Sequence, residues 1–164
     1  MFDLSNKIAV ITGASQGIGH TIATVFAKAG AKVMCIARSE SKIKELCLNI
    51  SNEGDIAFPF VCDVGNGEAF HDTIKSIANK YGKLDILINN AGITRDALLM
   101  RMTDSQWDEV IQTNLKGAFY GIKSAIRPMM KNKCGRIINI TSIVGLTGNP
   151  GQANYAASKA GLIG

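Results

Sequence analysis

Five short apolar runs punctuate the chain, at residues 7–12 (KIAVIT), 32–37 (KVMCIA), 57–62 (AFPFVC), 84–89 (LDILIN) and 136–141 (RIINIT). Each is nearly continuous in its hydrophobicity, the signature of strands covered on both faces in a parallel sheet. Between them the apolar positions recur at helical spacing. Ile18, Ile22, Val25, Phe26 and Ala29 define the inward face of a first helix, and Gly30 supplies its stop. Residues 39–52, 66–81 and 103–130 read as three more helices, and another begins near Asn154. Thr103 and Gln106 have the spacing of a capping box for the helix at 103–130. The order βαβαβαβαβα predicts an α/β fold, a doubly wound parallel sheet in a single domain spanning residues 1–164.

Ligands of such sheets bind beyond the carboxyl ends of the strands, where the strand order reverses. The loops after the first, fourth and fifth strands read TGASQGIG, NNAGITRD and TSIVGLTGNPGQAN, all rich in Gly, Asn, Ser and Thr. In the first, Gly13, Gly17 and Gly19 lie between a strand and a helix, where glycine permits a tight turn and close backbone approach to a pyrophosphate at the helix N-terminus. The spacing G-x-x-x-G-x-G departs from the commoner G-x-G-x-x-G, so the context carries the nucleotide-binding expectation. An NAD site places an acid about 20 residues on, at the end of the second strand. This chain has Ala37 and Arg38 there, which predicts NADPH: no carboxylate repels the 2′-phosphate, and a guanidinium can hold it. Asp63, after the third strand, is either an adenine contact or an Asx turn.

Tyr155 and Lys159 lie one helical turn apart on a shared face. A phenol with a pKa near 10 can hand its proton to a ketone oxygen that receives a hydride, and a neighbouring ammonium makes it a better acid. The same spacing also suits the start of an ordinary amphipathic helix. Ser142 follows the fifth strand, within reach of a substrate carbonyl. Asn114, between Ile111 and Ala118 on an apolar face, is either a satisfied buried amide or a link in a proton relay.

Composition narrows the alternatives. With 46% hydrophobic and 19% charged residues the chain is globular in type, and its apolar runs fall far short of the ~20 residues of a membrane span. Asp3 and Lys7 precede the first apolar run in an order unlike a secretory signal, so a cytoplasmic location is expected. Cys35, Cys47, Cys62 and Cys134 show no C-x-x-C pairing, which argues against a metal site. The charge of +5 comes without Lys or Arg interleaved with aromatics, so no nucleic-acid partner is expected. Lys123, Arg127, Lys131, Lys133 and Arg136 cluster around the end of the long helix, as a solvated helix end or as a docking site near the active-site side.

Taken together, TGASQGIG, NNAG, Asn114, Ser142 and YAASK resemble the short-chain dehydrogenase/reductase family, from Lys7 to the last residue. The resemblance implies a Rossmann-like sheet ordered 3-2-1-4-5, with Tyr155 as general acid, Lys159 its helper, Ser142 the carbonyl anchor and Asn114 the relay residue. It implies that Ser15, Gln16, Ile18, Asn90, Ala91 and Gly92, in the two glycine-bearing loops, join Gly13, Gly17, Gly19, Arg38, Tyr155 and Lys159 around the cofactor. Asp63 and Val64 would flank the adenine. A narrower resemblance, carried by GITRD…LLMRM, is to the 3-oxoacyl-[acyl-carrier-protein] reductases of type II fatty acid synthesis. It implies an acyl-carrier protein bearing a 3-oxoacyl chain as partner and a homotetramer. Gln16 departs from it, since many such reductases have Arg there, which throws more weight on Arg38. The alternatives are a related ketoreductase for another carbonyl, or a non-catalytic NADP-binding module. Members of this family run on for further strands. The expectation is therefore that the 164 residues are a fragment, inactive alone, with the fifth strand at an open sheet edge.

Overall fold

A computed structural model describes residues 3–164. Strands β1 (Ile8–Thr12), β2 (Lys32–Ala37), β3 (Ala57–Val61), β4 (Ile86–Asn89) and β5 (Arg136–Asn139) form one parallel sheet in the order β3-β2-β1-β4-β5. This is the α/β doubly wound topology expected. β1 registers Val10 against Met34 on one side and against Leu87 on the other. The chain winds outward from β1 to β3 and then crosses back to β4, so the order reverses between β1 and β4. Their carboxyl ends open the crevice there.

Alternation along the strands divides the core. Ala9 and Ile11 of β1, with Val33 and Cys35 of β2, pack on one face against Ala23 and Ala27 of helix α1 (Gly17–Lys28) and Leu46, Cys47 and Ile50 of α2 (Glu40–Asn52). Ile8, Val10, Met34 and Leu87 face the other way. They meet Phe70, Ile74 and Ile77 of α3 (Gly67–Tyr81) and Ala125 and Met129. Burying each of the larger side chains contributes about 1.5–3 kcal/mol. β1, β2 and β4 are buried almost throughout, whereas β3 and β5 are edges with exposed positions, and Ile138 of β5 is 45% exposed.

Two helical expectations need correction. The inward stripe of α1 is Gly19, Ala23 and Ala27, with Ile22 and Phe26 at its margin, whereas Ile18 and Val25 are exposed. Small residues face the sheet because the helix must come close to it beside the glycine loop. The expected helix at 103–130 is not regular. Helix α4 (Asp104–Val110) starts at the Thr103/Gln106 capping box and widens into a π-helical segment at Ile111–Lys116. It then resumes as α5 (Gly117–Lys131). Such π segments are rare and often mark functional sites. The loop after β5 holds one helical turn, α6 (Val144–Thr147), before α7 (Ala153–Ile163).

Candidate active site

The loop after β1 is built around its glycines. Gly13 turns the chain with φ +67°, in the region that favours glycine, and α1 begins four residues later. A methyl group on Gly19 would collide with the Gly13 carbonyl oxygen and the Asn90 amide, so glycine at 19 is a packing requirement. Thr12 and Asn90 stitch this loop to the one after β4. Thr12 Oγ1 accepts from the N–H groups of Asn90 and Ala91, both at 3.0 Å, and Asn90 Nδ2 donates to the Thr12 carbonyl at 3.0 Å. Helix α1 has no side-chain cap and no acidic residue in its first turn, so its positive end is left for a ligand.

These loops border a groove of about 340 Å³. Gly13, Ser15, Gln16, Gly17, Ile18, Arg38, Asp63, Val64, Asn90, Ala91 and Gly92 all line it. Gly19 lies beneath it and instead sets the approach of α1. Arg38 is exposed and, among the described residues, pairs with no carboxylate. Asp63 Oδ1 accepts from Gly65 N–H at 2.9 Å, so the Asx turn is present even though the residue also lines the groove. Sequence reasoning missed Ile36, Cys62, Ile93 and Thr113 in the lining. The first two lie at or just past strand carboxyl ends, a position that marks them. Ile93 lies in the loop NNAGITRD, already expected at the crevice, whereas Thr113 reaches the groove from the π segment and carried no such signal.

Outside the lining, next to Gly92, stands Lys159, 4% exposed. Its Nζ donates to the Ile140 carbonyl at 2.7 Å and lies 5.7 Å from the centroid of the Tyr155 ring. Burial pushes its ammonium below the usual lysine range. Gly92 joins this pair to the groove: it lines the groove, and a Cβ built on it would sit 3.7 Å from Lys159 Nζ and 3.3 Å from Asn114 Oδ1. Asn114, 1% exposed, is fully engaged by protein. Oδ1 accepts from Ile93 N–H at 2.8 Å, and Nδ2 donates to the Ile93 carbonyl at 3.0 Å and to Ser158 Oγ at 3.1 Å. Ser158 Oγ in turn donates to the Tyr155 carbonyl at 2.8 Å. The π segment thus ties the loop after β4 to the helix carrying Tyr155 and Lys159.

Buried Asn154 fixes the start of α7. Nδ2 donates to the carbonyls of Arg95 at 2.9 Å and Gln106 at 3.0 Å, while Oδ1 accepts from Tyr155 N–H at 2.8 Å. Sequence reasoning placed Asn154 only as a helix start. Ser142 is half-buried three residues beyond β5, and its Oγ accepts from Val144 N–H at 3.2 Å. Among the described residues no protein group bonds the Tyr155 hydroxyl. Backbone amides at a helix N-terminus, an uncommitted guanidinium, a free phenol and a buried ammonium fit a dinucleotide and an adjacent carbonyl.

The basic cluster is not where it was expected. Lys133 precedes β5 and Arg136 is its first residue, at the amino end of the strands, so they lie opposite the loops bearing Ser142 and Tyr155. With Ile126, Met129 and Met130 they line a separate shallow groove.

Comparison with known proteins places the molecule in a class. The sequence profile of the short chain dehydrogenase family matches residues 7–164, and the chain belongs to that family. Among individual relatives, it is 47% identical over 160 residues to 3-oxoacyl-[acyl-carrier-protein] reductase FabG of Staphylococcus epidermidis, covering 97% of this chain and 66% of the relative. Its namesake in Vibrio cholerae is 47% identical, covering 99% and 65% respectively, and that of Salmonella typhimurium 48%, covering 96% and 64%. In structure it matches a Sinorhizobium meliloti protein assigned to the short-chain alcohol dehydrogenases. The TM-score is 0.94 at 39% identity, over 99% of this chain and 64% of that one. The chain therefore spans about two thirds of the length of the relatives it matches. Among the described residues no helix is long and apolar enough to cross a membrane.

Proposed function

We propose that this chain carries the cofactor groove and the proton-donating residues of an NADPH-dependent reductase that converts a 3-oxoacyl group on acyl-carrier protein to the 3-hydroxyacyl group. The observation that carries the reading is the meeting of two sites at Gly92, with the nucleotide groove on one side and the Lys159–Tyr155 pair on the other. A non-catalytic nucleotide-binding module has no need of a buried lysine beside a free phenol.

In this reading the first turn of α1, with Ser15, Gln16, Gly17 and Ile18, binds the pyrophosphate. Arg38 holds the 2′-phosphate, Asp63 and Val64 flank the adenine, and Asn90, Ala91 and Gly92 lie along the path toward the nicotinamide. When bound, the cofactor supplies the hydride. Ser142 Oγ donates a hydrogen bond to the ketone oxygen, and Tyr155 Oη gives that oxygen its proton. Lys159 stabilises the phenolate left behind and reaches the ribose. The names of the relatives support the 3-oxoacyl thioester, and support the carrier protein as partner. The homotetramer and the cytoplasmic setting rest on the same resemblance. Asn114 holds α7 and the loop after β4 together, and the relay assigned to it would run through this link.

The test is NADPH oxidation in the presence of an acetoacetyl thioester by a protein in which this chain is extended to the length of its relatives, since the 164 residues alone are expected to be inactive. Turnover with NADPH well above that with NADH is the expected result. Binding of NADPH without reduction of any 3-oxoacyl thioester would overturn the assigned reaction.

A further inference from the structure

Arg38, which lines the groove, and Lys42, which bonds the lining residue Gln16, both lack a carboxylate partner among the described residues. Their neighbours on α2 and beside it are neutralised: Lys44 pairs with Glu40 at 2.6 Å and Lys28 with Glu53 at 2.8 Å. Lys42 instead donates from Nζ to Gln16 Oε1 at 3.3 Å. Gln16 occupies the N-cap position of α1 without a side-chain capping bond and lines the groove, so its bond to Lys42 brings an α2 ammonium to the mouth of the phosphate-binding loop. The bond also leaves Gln16 Nε2 as a further donor.

We propose that Lys42, held by Gln16, is a specificity-determining residue that binds the 2′-phosphate of NADPH together with Arg38. The inference rests on the nucleotide reading of the groove. The chemistry has three parts. Arg38 follows β2 directly and offers a planar fork to the phosphate. Lys42, the third residue of α2, lies in its first turn and adds a mobile point charge. The Gln16 carboxamide keeps that charge from swinging into solvent. A ribose with a free 2′-hydroxyl gains little from either cation, so Lys42 discriminates between cofactors instead of strengthening all nucleotide binding. Because Lys42 is exposed, its contribution weakens as salt screens it.

The experiment measures dissociation constants of NADPH, NADH, adenosine 2′,5′-bisphosphate and 5′-AMP at low and high salt. It compares the unaltered protein with Lys42→Met, Gln16→Arg and the double variant. Lys42→Met is expected to weaken NADPH and the bisphosphate about three- to tenfold, chiefly at low salt, and to leave NADH and 5′-AMP unchanged. Gln16→Arg places a cation in the loop itself, so in that background the loss caused by Lys42→Met should shrink or vanish. Equal weakening of phosphorylated and unphosphorylated ligands, or no weakening of either, would overturn the role of Lys42 while leaving the cofactor reading intact. Failure of the unaltered protein to bind any of the four would overturn the cofactor reading, and the inference with it.

Discussion

Lys159 Nζ donates to the Ile140 carbonyl across 2.7 Å, joining helix α7 to the chain just beyond β5. The bond holds a buried ammonium beside the Tyr155 ring and anchors it to Ile140, two residues along the chain from Ser142. A second link, Thr141 Oγ1 to the Lys159 carbonyl at 2.8 Å, reinforces it. The separation of Ser142 from Tyr155 is therefore set by backbone on both sides.

Burial of Lys159 has a consequence for stability. Its folded pKa lies below the unfolded value, so between the two values the unfolded chain binds more protons. Stability therefore rises with pH through that window, below the ordinary lysine pKa of 10.5. In Lys159→Met this contribution to the slope is absent. Denaturant unfolding at a series of alkaline pH values checks it, and equal slopes for the two proteins would remove burial as the cause.

Tyr155→Phe keeps the ring beside Lys159 and deletes only the hydroxyl, which no described protein group bonds. In a protein extended to the length of the relatives, NADPH affinity is expected to persist while turnover falls by roughly 10²–10⁴-fold, the range for general acid catalysis. Single-turnover NADPH oxidation measures it. A loss below tenfold would assign the proton to another group.

Asn114→Ala removes three hydrogen bonds that join Ile93 to Ser158 through a buried amide. A loss of about 1–3 kcal/mol is expected, because the groups left behind are only partly reached by water. Urea unfolding gives the value. Hydrogen exchange at Ile93 and in α7 should rise together if the residue is the link between them.

Gly19→Ala forces a methyl group against the Gly13 carbonyl and the Asn90 amide. Backbone does not yield as a flexible side chain does, so α1 must shift away from the loop. Nucleotide affinity is expected to fall more than tenfold, with overpacking costing about 1–3 kcal/mol of stability. Titration with NADPH and thermal unfolding together separate the two effects.

Arg38→Asp reverses the charge beside the proposed 2′-phosphate. The ratio of NADPH to NADH affinity should shift toward NADH by tenfold or more, in line with about 1.5–3 kcal/mol for hydrogen bonds to charged groups. Isothermal titration with both cofactors decides it.

Much of this molecule was legible along the chain, for reasons local to it. Continuous apolar runs such as residues 32–37 declared a strand covered on both faces, and the alternation of strands with helices left one plausible sheet. Glycines between a strand and a helix, and the tyrosine and lysine one turn apart, announced their neighbourhoods because turn chemistry and helical period act over a few residues. The assembly was decided by contacts distant in sequence. The inward face of α1 follows its small residues instead of its large ones, because Gly19 must fit against Gly13 and Asn90, the latter contributed by β4's loop. The π segment at Ile111–Lys116 places Asn114 between Ile93 and Ser158, partners 21 and 44 residues away. No helical periodicity records that. Lys131, Lys133 and Arg136 look close to the active site along the chain, yet in space they stand at the opposite end of β5. Hydrophobic period and turn chemistry are properties of a window of residues, whereas the closing of a site depends on which distant backbone groups a buried side chain finds.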